Sequence, residues 1–267
     1  MPRGRTENVL TTTYDDGALT RSPDELIVEE PLSIRLDDAL VATTMRTPGH
    51  DFELAAGFCF TDGLLAGAPV LACRYCGTGS AVDTEFNVVS VETGGLAPVP
   101  TPRLTTTTSS CGLCGSTTLD DLAERLAPMQ ATTPIPLEVL ATVPERIRGE
   151  QGLFDATGAV HAAAAFDGRG TPLVVREDVG RHNAVDKVVG RLLLDDGLPA
   201  DGLGLYVSGR ASFELVQKAW AAGFSALVAV SAPTSLAVAT ARRANLTLAG
   251  FVRGNRMNVY APEWMEG

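Results

Sequence analysis

The chain has 267 residues, 45% of them hydrophobic and 20% charged, so it can bury a sizeable core in one large domain or two smaller ones. Its formal charge of −11 disfavours a general nucleic-acid binder, which normally carries an excess of basic residues. No apolar run approaches the roughly 18–20 residues of a membrane span, and acidic residues interrupt the N-terminal stretch, so we expect a cytoplasmic protein without a membrane segment.

The first part of the chain predicts short strands around one helix. Residues 25–44 have the composition of two or three strands broken at Pro31, and residues 86–92 have that of another strand. A helix is expected over residues 50–60, with Asp51 as its N-cap.

A pair of cysteines lies in the next segment, where the composition turns to Pro, Thr, Ser and Gly. Residues 94–116 lack apolar periodicity and are expected to form an exposed loop. Cys111 and Cys114 have C-x-x-C spacing in this loop, and small residues surround both sulfurs. The pattern is compatible with dithiol redox exchange, metal ligation or the carriage of a sulfane sulfur as a persulfide. A redox motif of the thioredoxin type lies between a strand and a helix, so the loop disfavours redox exchange.

A second cysteine pair, Cys73 and Cys76, precedes the first. The two pairs together read C-x2-C-x34-C-x2-C, which is compatible with a four-thiolate zinc site. The gap is longer than the roughly 15–20 residues of a short zinc ribbon. Spacing alone leaves structural zinc and reactive thiols equally open.

In the second half of the chain, predicted strands alternate with predicted helices. An amphipathic helix before residue 150 is expected to be kinked or divided at Pro144. Further helices are expected to start at Asn183, at Ser212 and near Thr234. Strands are expected over residues 159–166, 172–176, 203–207, 225–230, 246–252 and 256–260. The alternation predicts a layered α/β domain over residues 131–267, which follows an α+β lobe over residues 1–130.

Three polar segments, at residues 176–187, 208–210 and 231–235, each join a predicted strand to a helix start. Ligands of open α/β sheets bind beyond the carboxyl ends of strands, so we expect the three segments to line one pocket. Taken singly, each is equally compatible with an ordinary capped helix start. Residues 176–256 hold ten Lys and Arg against seven Asp and Glu, and this local charge of +3 favours a phosphate-bearing small molecule. Arginines at predicted element ends are Arg181, Arg210, Arg253 and Arg256.

Two histidines near these segments favour structural roles. His182 is placed to donate a proton, but a lone histidine at a helix start more often caps the helix or forms hydrogen bonds. His161 is expected in the core of an Ala-rich strand. The chain has no H-x-E motif, which disfavours zinc deaminase chemistry.

Seven ordered blocks of the sequence resemble the FdhD family, the formate dehydrogenase accessory sulfurtransferases. The resemblance covers the chain from about residue 27 to residue 260. The blocks are RTPGHDFELAAGF (46–58), SSCGLCG (109–115), VHAAAAFD (160–167), REDVGRHNAVDKVVG (176–190), SGRASFELVQKA (208–219), SAPTSLAV (231–238) and GFVRGNRMNVY (250–260). The resemblance implies a homodimer and a C-terminal domain similar to the cytidine deaminase fold without its zinc site.

The resemblance also implies sulfur transfer. The family takes sulfur from a cysteine desulfurase and passes it to the molybdenum cofactor, bis-molybdopterin guanine dinucleotide, before that cofactor enters formate dehydrogenase. Carried over to this chain, Cys111 is the residue that bears the persulfide, and Cys114 assists it. The predicted cofactor-binding residues are Phe251, Val252, Arg253, Gly254, Asn255 and Arg256, together with Ser208, Gly209, Arg210, Arg181 and His182.

Two alternatives use the same cysteines. The first is a cofactor chaperone that transfers no sulfur, and the second is a zinc-binding protein. No permanent metal is expected in a sulfurtransferase, because zinc would occupy the thiols that the chemistry needs.

Overall fold

The computed structural model of the chain describes residues 4–75, 85–99, 126, 128–129 and 134–262. In this part of the chain, strands form a two-stranded, a four-stranded and a six-stranded sheet. The strands are β1 (Thr6–Asp15), β2 (Ala18–Ile27), β3 (Glu30–Leu36), β4 (Ala39–Arg46), β5 (Ala72–Tyr75), β6 (Val88–Glu92), β7 (His161–Phe166), β8 (Pro172–Asp178), β9 (Gly204–Val207), β10 (Ala226–Ala229), β11 (Thr247–Arg253) and β12 (Arg256–Ala261). The helices are α1 (Asp51–Thr61), α2 (Leu137–Arg148), α3 (Gly152–Thr157), α4 (Arg181–Leu194), α5 (Phe213–Ala222) and α6 (Ser235–Ala244). None of these helices has the length and apolar content needed to cross a membrane.

The first two strands form an antiparallel hairpin that pairs with neither of the other sheets. Thr6 pairs with Ile27 at its open end and Asp15 with Ala18 at its turn, and most of its side chains are exposed. The strands predicted from the sequence begin at residue 25, so most of this hairpin was not predicted.

The four-stranded sheet, in the order β4-β3-β6-β5, carries the N-terminal core. Apolar residues two apart on β3 and β6 face α1, which buries Leu54 and Cys59 against them. The prediction that Pro31 breaks a strand is wrong. Pro31 lies inside β3, before the pairing with β6 begins at Ser33, so its missing N–H removes no hydrogen bond to β6.

The predicted cap of α1 is also wrong. His50 is the N-cap, in the left-handed conformation with φ of 58°. The Asp51 carboxylate instead accepts two hydrogen bonds of 3.1 Å from the guanidinium of Arg46, and both side chains are buried. A bidentate ion pair thus takes the carboxylate that a local pattern assigns to the helix end.

The six-stranded sheet, in the order β12-β11-β10-β9-β7-β8, forms the larger part of the molecule. Strands β9, β10 and β11 are parallel, and α5 and α6 connect them. Strand β7 runs antiparallel to both β8 and β9, so β8 is parallel to β9. The predicted alternation of strands and helices is confirmed here, and so is the α/β class.

Both faces of this sheet are covered. Ala163 and Ala165 of β7 pack in a core with α4, α5 and α6, whereas Ala162 and Ala164 pack on the opposite face under α2. Pro144 does not divide α2 as predicted, since the helix continues from Leu137 to Arg148.

Helix α1 packs against α4, and this contact joins the four-stranded sheet to the six-stranded one. The closest approach is at Gly57 and Gly190. The predicted boundary between residues 130 and 131 lies outside the described residues.

Candidate functional site

One edge of the six-stranded sheet collects the carboxyl ends of its four parallel strands. The strands β8, β9, β10 and β11 end there, and β7 begins there because His161 pairs with Asp178. Such an edge is where open α/β sheets bind ligands. The connections after β8, β9 and β10 start from this edge, as the three polar segments predict.

A cavity of about 680 Å³ opens at this edge beneath α2. Three of its wall residues, Val179, Ser208 and Val230, directly follow β8, β9 and β10. The remaining wall is mostly apolar with a few polar groups, as in ordinary small-molecule sites. The polar and aromatic side chains around it are Glu145, Arg148, Phe154, His161, Tyr206 and Ser208.

The polar groups on the sheet side of this cavity are neutral donors or acceptors. Ser208 accepts a hydrogen bond of 2.9 Å from the Ala162 N–H, which leaves its own O–H proton for a ligand. Burial lowers the pKa of His161, and the charges of Arg181 and His182 lower it further, so the imidazole is neutral at pH 7. Burial raises the pKa of Tyr206, which keeps its phenol protonated. His161 therefore lines a cavity, and the prediction that it lies in the core is wrong.

A second cavity of about 460 Å³ adjoins the first. It is lined by Val230, Phe251, Arg253, Arg256 and Asn258, of which Val230 and Arg253 also line the larger cavity. The pairing of β11 with β12 is irregular between Gly250 and Arg253, and Phe251 there has a φ of 54°. A non-glycine residue in this conformation is strained, and such strain is often found at ligand sites.

The segment after β8 does not offer a free helix N-terminus, although the sequence predicts an anion site there. The carboxylate of Asp178 occupies that place: it accepts hydrogen bonds from the N–H groups of Gly180 at 2.8 Å and Thr47 at 3.2 Å. It also lies 2.7 Å from the Lys187 ammonium, and both side chains are fully buried. Burial lowers the pKa of Lys187, and Asp178 partly offsets that shift. An internal carboxylate thus fills the position predicted for a ligand.

Contacts between the two sheets use much of the local positive charge. Arg176 donates to Glu53 of α1 at 2.8 Å, and the Lys218 ammonium donates to Asp186 at 2.8 Å. With Lys187, these residues tie α1, α4 and α5 together and are largely withdrawn from solvent. The cations that remain for a ligand at the sheet edge are Arg181, Arg210, Arg253 and Arg256.

His182 belongs to a separate cluster at the start of α5. Its Nε2 atom lies 3.4 Å from the Ser212 hydroxyl and 3.7 Å from the Glu214 carboxylate. The hydrogen bond from His182 is the main reason that the pKa of Glu214 falls to about 2. His182 therefore serves the helix start, as its position in the sequence favours.

The predicted cofactor residues do not all meet at one place. Ser208, Val252 and Arg253 line the larger cavity, and Phe251, Arg253 and Arg256 line the smaller one. Gly254 and Asn255 form the turn between β11 and β12. Four of the predicted residues, all within the described part of the chain, line neither cavity: Arg181, His182, Gly209 and Arg210.

Three of the five cysteines, Cys76, Cys111 and Cys114, lie outside the described residues. The other two pack in the N-terminal core. Burial strongly raises the pKa of Cys59, and burial with the nearby Glu92 raises that of Cys73 to about 11. Both are protonated at neutral pH and have the character of packing residues rather than nucleophiles.

Several residues of the larger cavity were not predicted. Tyr206 lies two residues before Ser208 on the same face of β9, so the period of a strand was a usable signal. Glu145 and Phe154 come from α2 and α3, whose packing over the sheet edge leaves no local mark in the sequence.

Comparison with known proteins supplies the remaining evidence. The sequence profile of the FdhD/NarQ family matches residues 27–265. A "sulfur carrier protein FdhD" from Streptomyces avermitilis is 51% identical over 257 residues, which cover 93% of this chain and 91% of the relative. A protein of the same name from Mycobacterium tuberculosis is 46% identical over 255 residues, 92% of each chain. The crystal structure of a formate dehydrogenase accessory protein from Desulfotalea psychrophila shares the fold, with a TM-score of 0.75, 23% identity and coverage of 97% of this chain and 98% of that one.

Proposed function

The chain belongs to the FdhD/NarQ family, and from that premise we propose that it is a sulfurtransferase acting on the molybdenum cofactor. It takes a sulfane sulfur from a cysteine desulfurase as a persulfide on Cys111. It then delivers that sulfur to bis-molybdopterin guanine dinucleotide destined for formate dehydrogenase. The observation that carries the proposal is the name shared by relatives about half identical over most of the chain, sulfur carrier protein.

The cavities at the sheet edge support a nucleotide-bearing substrate. An apolar cavity suits a heterocyclic ring, and the adjoining cavity with Arg253 and Arg256 suits phosphates. The same arrangement suits the alternative of a cofactor chaperone that transfers no sulfur, so the sulfur chemistry has to be tested directly.

The loading step exchanges one S–S bond for another. The Cys111 thiolate attacks the outer sulfur of the desulfurase persulfide, a new S–S bond forms on Cys111, and the desulfurase cysteine leaves as a thiolate. Delivery of the sulfur as sulfide takes two electrons. Cys114 supplies them when its thiolate attacks the Cys111 sulfur, which releases HS⁻ and leaves a disulfide between the two cysteines. A cellular dithiol then reduces that disulfide and completes the cycle.

These thiols need a reducing compartment, which supports the cytoplasm as the place of action. The partners in this proposal are a cysteine desulfurase as donor, formate dehydrogenase as the final acceptor and a second copy of the chain in a homodimer.

Intact-mass measurement after incubation with a desulfurase and cysteine tests the proposal. Wild-type protein is expected to gain one sulfur atom, and Cys111→Ala to gain none. Cys73→Ala is the matched control and keeps the gain, because Cys73 is a protonated packing residue. No gain in the wild type would favour the chaperone, and one zinc per chain that disappears in Cys111→Ala would favour the zinc protein.

A further inference from the structure

We propose that the larger cavity binds the 2-amino-4-oxopyrimidine ring shared by guanine and pterins, and that the Glu145 carboxylate selects this ring. The inference rests on the proposed function and adds to it the residue that sets specificity for the heterocycle. It follows from the shape of the cavity, the position of Glu145, and the contacts of the neighbouring charged residues.

The cavity has the shape and character needed for a flat ring. Its volume of about 680 Å³ exceeds that of a bicyclic heterocycle, and the apolar side chains of Phe154, Val230 and Val252 form much of its wall. Rings of this kind bury their faces against apolar groups and present hydrogen-bonding atoms at their edge. The cavity therefore needs a polar group at its rim that matches such an edge.

Glu145 provides that group at the correct end of the cavity. It lies on α2, and its Oε1 atom is 3.8 Å from the position that a Cβ atom on Gly254 would occupy. Gly254 follows Arg253, the residue common to both cavities. A ring held at Glu145 thus has its phosphate-bearing end within reach of the smaller, arginine-lined cavity.

The carboxylate of Glu145 is available because the basic residues beside it are engaged elsewhere. Arg148, one turn along α2, forms an ion pair of 2.5 Å with Asp155 and lies 5.1 Å over the ring of Phe154. Arg146 donates a hydrogen bond of 2.6 Å to the carbonyl of Arg169. Among the described residues, Glu145 itself has no hydrogen bond or ion pair, so both of its oxygens can accept from a ligand.

The chemistry of a carboxylate favours one class of ring. Guanine and pterin present a ring N–H next to an exocyclic amino group, and a carboxylate accepts from both at once. Hypoxanthine lacks the amino group and offers one donor. Adenine presents a ring nitrogen lone pair where guanine has its N–H, and that lone pair repels a carboxylate. Glu145 therefore predicts the affinity order guanine above hypoxanthine above adenine.

Binding measurements on the full chain test this order. The probes are GDP, IDP and ADP by calorimetry and pterin-6-carboxylate by fluorescence, each with wild type, Glu145→Gln and the control Glu138→Gln. Glu138 is an exposed carboxylate on the same helix that does not line the cavity. We expect wild type to prefer GDP, Glu145→Gln to lose about tenfold or more in GDP affinity with little change for ADP, and the control to match wild type.

The two sources of the ring give separate results. Loss of GDP affinity in Glu145→Gln assigns the cavity to guanine, and loss of pterin affinity alone assigns it to the pterin. Equal affinities in wild type and Glu145→Gln for both probes overturn the inference and leave the proposed function intact. No binding of either probe to wild type overturns the inference together with the cofactor-binding part of that function, while sulfur loading on Cys111 remains a separate measurement.

Discussion

Gly57 of α1 and Gly190 of α4 bring two helix backbones into direct contact. A Cβ atom on Gly57 would lie 1.9 Å from the Asp186 carbonyl oxygen, and one on Gly190 would lie 1.8 Å from the Glu53 carbonyl oxygen. No side chain fits between the helices at this crossing, because both obstacles are backbone atoms. Each helix carries its glycine at the position where the other passes, so the two lobes meet at a fixed spacing.

The first prediction concerns this crossing. Gly190→Ala is expected to lower the free energy of unfolding by about 2–3 kcal/mol, since a methyl group forces the helices apart. Gly152→Ala, at a helical glycine with open space around it, is the control and should change stability by less than about 1 kcal/mol. Urea unfolding followed by circular dichroism measures both. A Gly190→Ala protein as stable as wild type would show that the helices can separate freely.

The second prediction concerns acid stability. Burial raises the pKa of Glu53, but hydrogen bonds and charge from Arg176 and His50 outweigh burial and bring it to about 2, against 4.5 in its ordinary state. Its contribution to stability is therefore complete above about pH 4.5 and is lost as the pH falls towards about 2. Glu53→Gln should destabilise by about 2 kcal/mol at pH 7, and the difference from wild type should vanish near pH 2.

Unfolding curves from pH 7 to pH 2 measure this difference, with exposed Glu138→Gln as the control. A Glu53→Gln deficit that stays constant over the whole range would contradict the ion pair with Arg176 as its cause.

The third prediction concerns the smaller cavity. Arg253→Ala and Arg256→Ala are each expected to weaken GDP binding by about 1–3 kcal/mol, the scale of a lost charge-assisted hydrogen bond. Arg21→Ala, on the exposed hairpin far along the chain from the sheet edge, should leave affinity unchanged. Calorimetry at constant salt measures the three, because phosphate contacts are sensitive to ionic strength. Unchanged affinity in both cavity variants would remove these arginines from the ligand site.

The fourth prediction separates the two cysteines of the C-x-x-C pair. Cys114→Ser should still gain one sulfur atom on Cys111 but should not release it, since it lacks the thiolate that displaces HS⁻. Wild type freed of the desulfurase should release sulfide and lose two hydrogens as the disulfide forms. A sulfide assay with intact mass follows both. Equal sulfide release from Cys114→Ser would assign the electrons to another donor.

The regular part of the fold was predictable because its causes are local. Apolar runs separated by turn residues gave the order of strands and helices from β7 to β12. The cap of α6 was also predictable: the Thr234 side chain accepts a hydrogen bond of 3.2 Å from the Ala237 N–H, within four residues of sequence.

The failures share one physical cause, namely partners distant in sequence. Asn183 was predicted to cap α4, but the cap is Gly180. The Asn183 amide instead donates to the Met45 carbonyl, 138 residues away, at 2.7 Å. Asp178 and Lys187 likewise serve the contact with α1, so a dense polar cluster that resembles a ligand site is mainly an internal joint. No local pattern shows which polar residues a neighbouring lobe will use.

The meeting of four parallel strand ends at one edge has a consequence for how such proteins diverge. Most groups that face the two cavities lie on connecting turns or on α2, outside the backbone ladder that holds the sheet together. Changes there alter which guest is admitted at little cost to the framework. Retargeting this scaffold to another nucleotide should therefore require exchange of a few turn residues, with the strands between them left as they are.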